Sequence, residues 1–168
     1  VDRGVSGQTA GVIIAMAAAF TAPSNTLGGY VSDRLRNPPL IIGGALAVLA
    51  CTALLIAQIE SLPLLLLVIA VNSIFLQFYF GPLFLVPVEI LGPRIAGTAT
   101  GFSNLFANIG GFLTAWAMGA IKDQSGSFKA GFISISVICL TGVVLSLILS
   151  RMRGKALAAA TLSEPSPR

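Results

Sequence analysis

The polar positions of this chain are sparse and clustered, and the runs between them are long. Its sixteen charged side chains fall at positions 2, 3, 33, 34, 36, 60, 89, 94, 122, 123, 129, 151, 153, 155, 164 and 168. Uncharged stretches of 29, 23, 28, 27 and 21 residues remain at 4–32, 37–59, 61–88, 95–121 and 130–150. A helix needs about 20 mostly apolar residues to cross a ~30 Å hydrocarbon core. The pattern therefore predicts five membrane-spanning helices, at approximately 5–29, 40–59, 62–86, 95–121 and 130–150, and a disordered tail over 151–168. The two-residue alternation of an outer-membrane barrel is missing, because runs such as Leu64 to Val71 are apolar on every side. Helices also satisfy their own backbone hydrogen bonds, which lipid cannot do. The expected fold class is all-α, a polytopic membrane protein.

Each interruption has a physical cause. Asn37-Pro38-Pro39 and Ser61-Leu62-Pro63 stop one helix and start the next, since proline lacks an amide hydrogen yet fits a first turn. Pro82 and Pro87 fall near the end of the third span, where a missing backbone bond invites a bend. Gly92-Pro93 marks the turn before the fourth span and Gly126 the turn before the fifth.

Composition supports a lipid setting. Apolar residues make up 55% of the chain and charged ones 10%, against about 25% charged in an ordinary soluble domain. Orientation follows from Lys and Arg in the short connections. One set holds Arg34, Arg36, Arg94, Arg151, Arg153, Lys155 and Arg168, and the other holds Arg3, Lys122 and Lys129. The first set is expected in the cytoplasm, with the N-terminus outside and the C-terminus inside. Topology thus accounts for the net charge of +4, and no nucleic-acid partner is needed to explain it. The basic end also suits anionic lipid head groups.

The same inventory excludes most enzyme chemistry. Gly4-Val5-Ser6-Gly7 matches the short pattern of intramembrane serine proteases, but the chain has no His and no ionisable carboxylate, Lys or Arg inside a span to take the proton. Common zinc sites, His-ligated haem and a Ser-His-Asp arrangement are absent for the same reason. No phosphate loop ending in Lys is found. No enzyme activity, cofactor or metal is expected, and Cys51 and Cys139, each inside an apolar span, read as packing residues.

What remains is a set of neutral polar groups on two spans. Gly97, Gly101, Asn104, Asn108, Gly111 and Ala115 lie at offsets of 0, 4, 7, 11, 14 and 18, one stripe of a helix. Gly97, Gly101 and Gly111 would let another helix come close. Asn104 and Asn108, one turn apart near mid-membrane, either line a cavity or bond to a neighbouring helix. The third span adds Asn72, Ser73, Gln77 and Tyr79, which should meet protein or water because unpaired polar groups in lipid are unfavourable. The second and fifth spans are blander and read as peripheral supports, with Ser and Thr bonding back to their own helix. The chain starts with Val1 and carries an odd number of spans, so it is expected to be a piece of a larger membrane protein.

Three turns carry recognisable motifs. Gly29-Tyr30-Val31-Ser32-Asp33-Arg34-Leu35-Arg36, Glu89-Ile90-Leu91-Gly92-Pro93-Arg94-Ile95-Ala96-Gly97 and Gly119-Ala120-Ile121-Lys122-Asp123-Gln124-Ser125-Gly126 follow one another in that order. They resemble turns in the C-terminal half of major facilitator superfamily (MFS) transporters. Gly29, Asp33 and Arg34 match the loop motif after the second helix of a half, while Arg36 and Asn37 replace its later Gly and basic pair. Glu89, Ile90, Arg94 and Gly97 match the turn after the fourth helix, with Gly92 where proline is usual.

The resemblance implies that the five spans are helices eight to twelve of a twelve-helix carrier, a partial MFS fold whose partner is the missing N-terminal half. In such carriers helices eight, ten and eleven line the cavity. The implied function is secondary active transport of a small solute by alternating access around a mid-membrane site. The turns look closest to bacterial carriers of organic anions driven by a co-transported proton or sodium ion. Asn72, Gln77, Tyr79, Asn104 and Asn108 are the expected solute-facing groups. Asp33, Arg34, Glu89 and Arg94, at helix ends, are expected either as cytoplasmic gate groups or as plain topology anchors. A passive channel or a non-transport scaffold would share these features. The implied location is the inner cell membrane.

Overall fold

A computed structural model describes residues 18–163, with Gln8, Gly11 and Ala15 ahead of them. The described chain is helical apart from short turns. Its helices are α1 (Thr21–Leu35), α2 (Pro38–Gln58), α3 (Leu62–Phe78), α4 (Phe80–Leu91), α5 (Pro93–Ser125) and α6 (Lys129–Ser163). Three stretches among them, Pro38–Gln58, Leu62–Leu91 and Lys129–Lys155, are long and apolar enough to cross a membrane. Helix α5 has 33 residues, ample length, but its glycines, threonines and two asparagines dilute its apolar character. The Gly4 to Gly7 motif, Arg3 and much of the N-terminal half of the first expected span lie outside the described residues.

Where the boundaries differ from the sequence pattern, local chemistry explains it. The first turn motif stays helical through Leu35, since nothing breaks the helix until Asn37 caps α2 and Pro38 opens it. The cap is Arg36, whose φ of 51° puts a non-glycine residue in the left-handed region, where glycine usually closes a helix. At the other end, residues 151–163 were expected to be disordered, yet α6 continues through Ser163. Lys155, the Ala residues that follow and Leu157 are good helix formers, and Pro165 comes too late to interrupt them.

The third span is interrupted at Tyr79, whose backbone stays in the right-handed helical region. Pro82 has no N–H to give the carbonyl of Phe78, four residues back, and the ladder resumes with Leu83 N donating to Tyr79 O at 2.9 Å. The break is packed by α1. A side chain on Gly28 would collide with the carbonyl of Phe78, and one on Gly81 would come within 2.9 Å of Gly29 N and 3.2 Å of Asn25 O. Helices α1 and α4 thus cross backbone against backbone, which only glycine permits.

Helix α2 holds the centre of the described bundle, contacting α1, α3, α4 and α6. This corrects the expectation of a peripheral support. Its small residues are the reason: Ala45, Ala50, Ala53 and Ala57 are all buried, together with Gly43. The partner α6 runs antiparallel to it along a seam of small and hydroxylated residues. Ser136 Oγ donates to Ala50 O at 2.9 Å, Ser146 Oγ donates to Pro39 O, and Asn37 Nδ2 donates to Ser150 Oγ at 2.9 Å. Ser134 and Thr141 bond back within α6 as expected. Lipid removes the hydrophobic drive between helices, so close packing and interhelical bonds of about 0.6 kcal/mol each hold such a seam.

Candidate functional site

A cleft of about 430 Å³ lies between α2, α4, α5 and α6. Pro39 and Ile42, Phe80 and Phe84, and Leu145 and Leu149 supply its apolar walls. Its polar groups come chiefly from α5, where Thr100, Ser103 and Asn104 line it beside Ala107. Ser146 also reaches the cleft, but its hydroxyl is committed to Pro39 O. Apolar walls with a few convergent neutral donors and acceptors are the usual make-up of a small-molecule site. Phe80 and Phe84 form its aromatic side, with ring centroids 6.0 Å apart, and Tyr79 stacks on Phe80 from outside the wall at 4.9 Å.

The residues singled out by sequence separate here. Asn104 lines the cleft. Asn108, a turn further on, donates from Nδ2 to Asn104 O at 2.8 Å, with Asn104 Oδ1 3.4 Å away. It therefore steadies Asn104 and is not among the groups lining the cleft. Asn72 is not among the groups lining this cleft: its Nδ2 donates to Thr52 Oγ1 at 2.7 Å, and that hydroxyl donates to Leu49 O at 3.1 Å. It ties α3 to α2, so the expected solute-facing group is an interhelical bond in this structure. Ser73 bonds back to Ile69 O at 2.8 Å. Gln77 and Tyr79 are half-buried and sit at the helix break rather than on the cleft wall. Gly97, Gly101 and Gly111, expected to pack a helix, face open space in the described chain. The close packing falls instead on Gly28, Gly43, Gly81, Gly131 and Gly142.

Sequence reasoning missed Thr100 and Ser103. With Asn104 and Ala107 they sit at offsets of 0, 3, 4 and 7, a helical face that the spacing alone could have revealed. Phe80 and Phe84 carried no comparable signal in a run so uniformly apolar.

Comparison with known proteins decides the family. The Major Facilitator Superfamily model matches residues 1–166. The chain belongs to the Major Facilitator Superfamily. Among curated relatives it is 27% identical over 161 residues to a putative tartrate transporter of Agrobacterium vitis, covering 96% of this chain and 36% of that protein. It is also 27% identical over 158 residues to the probable galactarate/D-glucarate transporter GudP of Bacillus subtilis, covering 88% of this chain and 34% of the relative. The Escherichia coli GudP matches at 27% over 161 residues, 88% of this chain and 34% of its own length. The chain thus spans about a third of the length of the curated relatives it matches, and those relatives are named transporters, not enzymes. No solved structure matches it.

The charged helix ends of this superfamily member are arranged differently from a simple pairing of Asp33, Arg34, Glu89 and Arg94. Glu89 Oε2 lies 3.0 Å from Arg153 Nη2, a partner that the sequence offered only as a topology charge. Arg34 Nη1 donates to Tyr30 Oη at 3.3 Å. Asp33 and Arg94 are exposed, and neither has an ion-pair partner among the described residues. On the opposite end, Lys122 lies over the Phe128 ring at 4.6 Å and Gly126, at φ 68°, closes α5.

Proposed function

We propose that this chain is the C-terminal part of a twelve-helix carrier that moves a small hydroxylated organic anion across the inner cell membrane by alternating access. The observation that carries the reading is the state of α5. Every residue from Gly101 to Leu113 is exposed in the described chain, and one face of this stretch bears the two carboxamides of Asn104 and Asn108, a turn apart. Amides turned toward lipid would be unfavourable, so this face belongs against a second protein layer, a water-filled path or a solute. The N-terminal half of the carrier is the partner that fits, with the solute path between the halves.

In this reading the spans are those anticipated from the charge pattern, with the C-terminal end of α6 in the cytoplasm. Thr100, Ser103 and Asn104 offer neutral hydrogen bonds to the hydroxyl groups of the solute, and Phe80 and Phe84 shape its apolar side. The relatives named for tartrate and galactarate/glucarate point to a hydroxylated dicarboxylate. No Arg or Lys lies inside the uncharged stretches, so groups that grip the carboxylates, and any carboxylate that couples a proton, belong to the other half. Asp33, Arg34, Glu89 and Arg94 serve at the cytoplasmic gate, where Asp33 and Arg94, exposed and without an ion-pair partner among the described residues, are free to form pairs of roughly 0–1 kcal/mol that break again within a cycle.

The test is uptake of labelled tartrate or galactarate by cells or vesicles carrying the full-length protein. Uptake should follow an imposed proton or sodium gradient, and Asn104→Leu should cut it about tenfold at unchanged membrane abundance. Uptake indifferent to the gradient would make the protein a passive facilitator. Full tolerance of Asn104→Leu would reject the cleft as the solute path.

A further inference from the structure

A second cleft, of about 600 Å³, opens where the end of α4 meets α6, and it shares Pro39, Val86 and Leu149 with the first. Ile90 and Met152 complete its apolar wall, and its two charged groups are Glu89 and Arg153. One arm of the Arg153 guanidinium, Nη2, is held by Glu89 at 3.0 Å. The other, Nη1, is shielded from solvent and has no hydrogen-bond acceptor among the described residues. A guanidinium cannot shed its proton to relieve such a mismatch, and a buried donor left unpaired is unfavourable. Glu89 is the carboxylate on the wall of this cleft, and among the described residues no second anionic oxygen reaches Nη1.

The surroundings say what kind of anion fits. Five apolar side chains against two charged ones give a free sugar acid or inorganic phosphate little to hold, whereas an acyl chain would be covered by them. Arg153 lies three residues beyond the uncharged stretch 130–150, at the depth where head groups meet the hydrocarbon core. Arg151 and Lys155, both exposed, flank it and bias the local field toward anions. We infer that Arg153 forms a head-group site for an anionic phospholipid. The phosphate accepts from Nη1, Glu89 holds the guanidinium from its other arm, and the upper acyl chain lies against Ile90, Leu149 and Met152. The site is independent of which solute the carrier moves.

Native mass spectrometry of the full-length protein in detergent, titrated with phosphatidylglycerol or phosphatidylcholine, tests this. Phosphatidylglycerol should be retained in preference to phosphatidylcholine. Arg153→Lys keeps the charge and the pairing with Glu89 but loses the second arm, and should lower that retention about fivefold. Met152→Asp leaves the ion pair intact while placing a like charge on the wall, and should lower it comparably, so the reading does not depend on one variant folding. Arg151→Gln should change little. Equal losses in Arg151→Gln and Arg153→Lys would reduce the site to diffuse surface charge and overturn the proposal. So would displacement of the lipid by glycerol phosphate at matched concentration, which would mark a site for free phosphate instead.

Discussion

Helices α2 and α5 have similar access to neighbours along the chain and opposite fates. Along α2 a run of small residues is buried on several sides, and α6 is stitched to it by Ser136, Ser146 and the Asn37–Ser150 pair. Along α5 an equally small-rich stripe, Gly97, Gly101 and Gly111, meets nothing within contact distance in the described chain. The lesson is that small residues in a membrane helix license close approach without saying to whom. On α2 the partner is in the same chain. For α5, held chiefly by α4 with lighter contact to α6, the proposal is that it lies in another part of the carrier.

The comparison breaks first at glycine. Gly28→Ala pushes a methyl group into the Phe78 carbonyl where α1 meets the end of α3, and should destabilise the protein by about 1–3 kcal/mol, seen as lost thermal stability in detergent. Next comes the α2–α3 tie. Thr52→Val leaves the Asn72 amide without its partner and should lower stability by about 1 kcal/mol, whereas Thr52→Ser should leave the melting temperature near that of the parent. A gain of comparable size is expected at the end of α1. Arg36→Gly relieves a left-handed residue at φ 51° and should stabilise by about 1 kcal/mol; an unchanged melt would mean that the Arg side chain earns its place elsewhere. The smallest effect sharpens the contrast most. Gly101→Ala meets open space and should raise the stability of this segment by about 0.5–1 kcal/mol through helix propensity. If the same change lowers uptake by the full-length carrier, the stripe is occupied there by a second layer of protein.

Much of the fold was legible because lipid enforces simple rules. Charge-free length announces a helix, and proline announces its start, as at Pro38 and Pro93. The third span shows where legibility ends. Pro82 signalled a disturbance, but that Gly28 meets the Phe78 carbonyl and Gly29 meets Gly81 could not be read from residues some fifty positions apart. The same limit applies to the site. Asn72 and Asn104 are the same residue type in comparable surroundings of sequence, yet one is taken by Thr52 and the other lines a cleft.

From its residues alone the chain determined that it is helical, that it lives in lipid, and, through three turn motifs, which family it joins. Each of these follows from local chemistry: hydropathy over a helix length, backbone donors removed by proline, and short motifs at helix ends. Tertiary structure decided the pairings, namely α2 at the centre of the described bundle, Asn72 bonded to Thr52, and Glu89 joined to Arg153. The reason is geometric. A neutral amide or a glycine carries no address, and only the register of one helix against another selects which of several equally plausible partners it meets.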